Sequence, residues 1–135
     1  MREKILIVDD DPDIREQLVL GLAGEFEMHE ARDAGSARRI FRREIPGLVF
    51  LDIGLPRSSG LDLIPVFTGS GSPATVIMLT SHDDLDMAQE ALELGATEYL
   101  TKPCDISLVR RIARKRLGRQ AKEEDQSCFP WRVIK

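Results

Sequence analysis

The sequence predicts an α/β fold, an open parallel sheet of five strands with helices on both faces. Three observations support this. Short apolar runs alternate with stretches of helical period along nearly the whole chain. The runs "KILIV" (4–8), "GLVFL" (47–51) and "ATVIML" (74–79) are continuous rather than alternating, as in strands buried on both faces. The spacing between runs leaves room for a crossover helix, which parallel pairing requires.

Each element has its own local reason. After the first strand, Ile14, Leu18 and Leu22 recur every fourth residue, so residues 12–23 read as a helix. Pro12 suits its first position and Asp11 its N-cap, while Asp13 is a first-turn acid favoured by the helix dipole. "FEMHEA" (26–31) reads as a strand nearer an edge. Asp33 caps the next helix, where Ala37, Ile40 and Phe41 share a face. Residues 47–51 are the third strand, and a short helix starting near Ser58 carries Leu61 and Ile64. Pro65 should shorten or kink that helix, because it lacks an N–H and crowds the preceding turn. "FTGSGSP" (67–73) then reads as a loop. The fourth strand is 74–79, and helix 83–94 places Leu85, Ala88 and Leu92 on one side, ended by Gly95. "TEYL" (97–100) is the fifth strand, and helix 105–118 aligns Val109, Ile112, Ala113 and Leu117.

The bulk numbers bound the function. A chain of 135 residues with 42% hydrophobic content is one folded domain's worth. A net charge of −4 argues against nucleic acid held by broad electrostatics. Cys104 and Cys128 suggest neither a disulfide framework nor a zinc site; Cys104 reads as a small packing residue. No apolar stretch approaches the roughly 18 residues that span a bilayer, and no signal peptide is visible. The expectation is a soluble, cytoplasmic protein with no membrane partner.

Right-handed crossovers put the C-terminal ends of all the strands on one edge, where ligands of open α/β sheets bind. Asp9 and Asp10 follow the first strand, Asp52 the third, Thr80 the fourth and Lys102 the fifth. Each alone is an ordinary turn or surface residue; the joint placement is informative. Clustered carboxylates serve either a hard cation, such as Mg²⁺, or a proton-sharing catalytic pair. The cation accounts better for Lys102 and Thr80. Three carboxylates, one ammonium and one divalent ion cancel formally, and such a pocket accepts a phosphoryl group, with Thr80 donating a hydrogen bond.

The acidic pair Asp9–Asp10, "LDIGLPRSSG" around Asp52, Thr80, and "KP" at Lys102–Pro103 resemble, in order and spacing, the receiver domain of bacterial two-component response regulators. The resemblance covers residues 3–118, and gives a receiver domain at 1–118 with a linker or C-terminal tail at 119–135. It implies a flavodoxin-like sheet of order 2-1-3-4-5, with Asp52 as phosphoacceptor. It implies Mg²⁺, with Mn²⁺ as a substitute, held directly by Asp10 and Asp52 and by the backbone carbonyl of Gly54, with Asp9 acting largely through water. Lys102 pairs with the phosphoryl group, and Thr80 closes onto it. A cis peptide is implied at Lys102–Pro103. The donor is a sensor histidine kinase, a phosphotransfer protein or a small phosphoanhydride. Tyr99 is the implied switch aromatic, turning from exposed to buried as the face of helix 83–94, strand 97–100 and helix 105–118 changes shape. That face often forms a homodimer in the family, and the domain itself binds no nucleic acid directly. The resemblance points to a regulator, whose only chemistry is self-directed phosphotransfer and autodephosphorylation.

Plainer readings stand beside these. A strand Tyr such as Tyr99 is ordinarily half-buried packing, and a loop His such as His82 a solvated side chain. With no side chain at Gly54 to shield a phosphoryl group, His82 is the expected gate on water. Arg110, Arg111, Arg114, Lys115, Arg116 and Arg119 read either as a solvated basic face or as half of a charged dimer contact. "AKEEDQS" (121–127) reads as a linker; "CFPWRVI" (128–134) is apolar for a tail. Two other functions compete. A haloacid-dehalogenase-type phosphohydrolase would use Asp9-x-Asp11, but Asp13 stands where Thr or Val is expected, and little chain remains for a cap. A phosphorylation-independent module of the same fold would be expected to lose site residues that are all kept here. Acids after the first strand would repel a flavin phosphate.

Overall fold

The computed structural model describes residues 2–55, 59–69, 71, 73–81 and 85–118. His82, Ser58, Arg119, Cys128 and the segment 119–135 therefore lie outside the described residues. In chain order the elements are β1 (Lys4–Val8), α1 (Pro12–Leu22), β2 (Glu27–Ala31), α2 (Ala34–Glu44) and β3 (Leu48–Asp52). A 3₁₀ turn (Gly60–Leu63) leads into α3 (Ile64–Thr68), followed by β4 (Thr75–Thr80), α4 (Leu85–Leu94), β5 (Glu98–Thr101) and α5 (Ile106–Leu117).

All four strand pairings are parallel, and the sheet order is β2-β1-β3-β4-β5. This is the flavodoxin-like architecture implied by the resemblance. Period-two alternation divides the apolar strands between two cores. Ile5, Ile7, Leu48, Phe50, Ile77 and Leu79 face Leu18 and Leu22 of α1 and Val109, Ile112 and Ala113 of α5. Leu6, Val8, Val49, Leu51, Val76 and Met78 face Ala37 and Phe41 of α2, Ile64 and Phe67 of α3, and Ala88 and Ala91 of α4. Burying each such Leu, Ile or Phe contributes roughly 1.5–3 kcal/mol, so both faces of β1, β3 and β4 are fixed by the core.

Capping follows the local chemistry. Asp11 caps α1 by accepting the Asp13 amide at 2.9 Å, Asp33 caps α2 through the Ser36 amide at 2.8 Å, and Asp105 caps α5 through the Ser107 amide at 2.9 Å. Gly118 ends α5 in the left-handed region at φ 76°. Ile45 ends α2 in the same region at φ 51°, uncommon for a β-branched residue.

The segment after β3 differs from expectation. The described helical start is the 3₁₀ turn, with Ser59 Oγ accepting the Leu61 amide at 3.1 Å. Pro65 lies in the first turn of α3, where its missing N–H has no intrahelical partner to lose. Phe67 and Thr68, expected in a loop, are helical. Phe67 is fully buried, with its ring centroid 4.6 Å from that of Phe41. Burial of this large ring outweighs the glycine and serine signals that follow it.

The basic residues of α5 also part from a purely solvated face. Arg110 Nε donates to the Gly21 carbonyl at 2.9 Å, and Arg114 grips Glu25 with both Nε and Nη2 at 2.9 Å. Arg116 reaches Glu98 of β5 at 2.6 Å. These bonds tie α5 to α1 and to the sheet, whereas Arg111 and Lys115 remain exposed.

Candidate functional site

The C-terminal ends of β1, β3, β4 and β5 meet on one rim because every crossover returns the chain to the same starting side of the sheet. Asp9, Asp10, Asp52, Thr80 and Lys102 come together there. Each of the three carboxylates offers an oxygen within 4.8 Å of the others. Asp9 is fully buried, Asp52 is buried and Asp10 is exposed.

Lys102 is the cation among these acids. Its Nζ lies 2.8 Å from Asp9 Oδ2 and 3.3 Å from Asp52 Oδ1. Burial disfavours its charged form, but the contacts with Asp9 and Asp52 outweigh that and hold its pKa above the ordinary lysine value. The Lys102 amide donates to the Thr80 carbonyl at 2.8 Å, so the ends of β4 and β5 carry their two site residues as a unit. The Lys102–Pro103 peptide is cis.

Asp52 Oδ1 accepts the Gly54 amide at 3.1 Å. Burial, and then the charge of Asp9, push the Asp52 pKa from 3.8 up to about 6, against the lowering pull of the Gly54 amide and Lys102. The main chain leaves little space beside this residue. A Cβ at Gly60 would stand 2.1 Å from the Asp52 carbonyl oxygen, while the Gly60 amide donates to Ile53 at 2.8 Å. Glycine is therefore the side chain that fits, and the turn it makes packs against the end of β3.

The group an ion would need is present. Asp9 Oδ2 is buried and accepts no well-aligned hydrogen bond among the described residues; its one close cation is Lys102. Such an acceptor, with two more carboxylates in reach, suits a hard oxygen-seeking ion such as Mg²⁺. A second group, Glu27, His29 and Glu44, has comparable spacing, but Lys4 Nζ already sits 3.1 Å from Glu44 and 3.9 Å from Glu27. It lies on the edge strand and the end of α2, away from the rim.

Thr80 is fully buried, and its hydroxyl donates to the Ser81 carbonyl at 3.0 Å. Tyr99 is 39% exposed and lines a hollow of about 340 Å³ with Pro103, Cys104 and Leu108. Cys104 is half-buried against the α1/α5 core, and burial pushes its thiol pKa up. Arg15 carries no sequence signal beyond its charge, yet its Nη1 donates to the Asp9 carbonyl at 2.6 Å. A lone cation one turn after an acidic pair was the trace it left in the sequence.

Residues 5–114 match the family model described as response regulator receiver domain. The chain is 37% identical to the response regulator protein PilR of Pseudomonas aeruginosa over 98% of its own length, but spans only 30% of that protein. It is also 37% identical to sporulation initiation phosphotransferase F of Bacillus subtilis, covering 87% of this chain and 95% of that one. Among solved structures, the receiver domain of NtrX from Brucella abortus superposes with a TM-score of 0.78 at 32% identity, covering 84% of this chain and 98% of that chain.

Proposed function

This chain belongs to the response regulator receiver domain family, and from that premise we propose that it is a phosphorylation-activated switch with Asp52 as phosphoacceptor. The observation that carries the reading is the contact of Lys102 Nζ with both Asp9 and Asp52, at 2.8 and 3.3 Å, beside carboxylates close enough to share one ion. The receiver unit is residues 1–118, with 119–135 as linker or tail.

Asp9, Asp10 and Asp52, with the Gly54 backbone carbonyl, would hold Mg²⁺, or Mn²⁺ in its place; Asp9 would act largely through water. When bound, the ion supplies positive charge to the oxygens of a transferring phosphoryl group. An Asp52 carboxylate oxygen attacks phosphorus in line and forms an acyl phosphate. The bond from phosphorus to the donor breaks, and the leaving group takes up a proton. With a pKa of about 6, Asp52 is mostly ionised at neutral pH, so the nucleophile is available. Lys102 turns its ammonium from Asp52 toward the phosphoryl oxygens and stays anchored by Asp9.

The product adds charge and strong acceptors at the rim. Thr80 exchanges its bond to the Ser81 carbonyl for one to a phosphoryl oxygen, drawing its loop inward. Tyr99, outward here, follows toward the interior, and the surface of α4, β5 and α5 changes for a partner, an effector or a second copy. This is a population shift driven by contacts made only in the phosphorylated state. The donor is a sensor histidine kinase or a phosphotransfer protein. The domain is a regulator whose remaining chemistry is the slow loss of its own phosphoryl group. Among the described residues no helix is long and apolar enough to cross a membrane.

The test is phosphorylation by acetyl phosphate, read by intact mass. One added phosphoryl group is expected, dependent on Mg²⁺ and lost in Asp52→Asn. Metal-independent labelling, or labelling that survives Asp52→Asn, refutes the assignment. Turnover of a small phosphate ester would point instead to a hydrolase.

A further inference from the structure

We propose that Arg15 is a positioning residue for the cation site, clamping the Asp9–Asp10 peptide to the edge strand so that both carboxylates face the ion. The inference rests on the Mg²⁺-dependent reading above and goes beyond it in assigning a residue outside the acidic rim.

Asp9 is held at each polar group but one. Its amide donates to the Ala31 carbonyl at 3.0 Å, and its Oδ1 accepts the Asp11 amide at 2.9 Å. Its carbonyl accepts Arg15 Nη1 at 2.6 Å, the shortest of these contacts. That leaves Oδ2 turned toward Lys102 and the shared space with Asp52. The carbonyl gripped by Arg15 belongs to the planar peptide that leads into Asp10. Fixing that plane fixes where the Asp10 Cα stands, and so where its exposed carboxylate can reach.

The other end of the clamp is on a different element. Arg15 Nε donates to Glu30 Oε1 of β2 at 3.1 Å. The Arg15 side chain is only 18% exposed, which limits the other positions it can take. Its planar fork spans a backbone carbonyl and a carboxylate at once, a geometry an ammonium cannot copy.

Charge and geometry predict opposite effects, which makes the role testable. If Arg15 acted only as a nearby positive charge, its removal would make the rim more negative and tighten Mg²⁺ binding. If it positions Asp9 and Asp10, its removal weakens binding despite that gain. The measurement is calorimetric titration of the full chain with MgCl₂, with urea unfolding in parallel. Arg15→Ala is expected to weaken Mg²⁺ binding by about tenfold, the usual cost of losing a group that orients metal ligands. Arg15→Lys, which keeps the charge but not the fork, should remain weaker than wild type. Glu30→Gln, at an exposed position that does not endanger folding, should show a smaller loss with Arg15 still present.

Unchanged or tighter binding in Arg15→Ala overturns the role, as does a fall in stability with no loss of affinity in either Arg15→Ala or Glu30→Gln. If the wild-type chain shows no saturable Mg²⁺ binding, the cation-site reading itself falls and the role of Arg15 with it. Those two failures are separated by the wild-type titration alone.

Discussion

Asp52→Asn should make the metal-free protein more stable at neutral pH, although it destroys the proposed phosphoacceptor. The reason is electrostatic. Burial and the neighbouring Asp9 raise the Asp52 pKa from 3.8 to about 6 in the folded state, with the attraction of Lys102 already included. The folded protein therefore binds this proton about a hundredfold more tightly than the unfolded chain. At 1.36 kcal/mol per tenfold, that corresponds to about 3 kcal/mol of penalty on the ionised form, and screening at the open rim reduces it to about 1–2 kcal/mol. The sign follows from linkage: where the native state holds more protons than the unfolded state, stability falls as pH rises. The penalty is absent below pH 3.8, grows between 3.8 and about 6, and is complete above that. Urea unfolding in EDTA at pH 7.5 should thus show Asp52→Asn more stable than wild type by about 1–2 kcal/mol, with the gap closing as pH falls through 6 toward 3.8. Saturating Mg²⁺ should stabilise wild type more than the variant. A variant less stable than wild type in EDTA at pH 7.5, or a gap that widens on acidification, would refute the assignment of a strained carboxylate cluster.

Three further outcomes can be checked by denaturation and metal titration. Gly60→Ala places a methyl group 2.1 Å from the Asp52 carbonyl oxygen, so the end of β3 must move; a loss of about 1–3 kcal/mol is expected, with weaker Mg²⁺ binding by calorimetry. Phe67→Ala removes a fully buried ring packed at a tilt against Phe41 and should cost about 3–5 kcal/mol in urea melts, far more than a loop position would. Ile45→Asn relieves a β-branched residue at φ 51° on an exposed helix end. It should stabilise by about 1 kcal/mol, seen as a rise in melting temperature with phosphorylation unchanged.

Elements that depend on their own residues were legible in the chain. The strands, the caps at Asp11 and Asp33, and the buried faces of α1 and α5 follow from period, side-chain oxygen and proline placement. All are short-range effects that act within a turn or a pleat. The rim residues were legible for a related reason. Parallel crossovers send every strand end to one side, so a position just after a strand already implies a place at the rim. Where a long-range contact competes with local preference, the local pattern misleads, as at Phe67, whose partner Phe41 belongs to another helix.

What the sequence by itself determined was the set of elements, the two-faced burial of the strands and the kinds of side chain gathered at one edge. These are written in periodicity and in the order of residues along the chain. Only the tertiary structure decided that Lys102 bridges Asp9 and Asp52, that Gly60 must lack a side chain against β3, that Arg15 grips the Asp9 carbonyl, and that Arg114 reaches back to Glu25. Such contacts join segments far apart in the chain. Their distances are set by how the packed helices and sheet bring those segments together, and no local pattern encodes them.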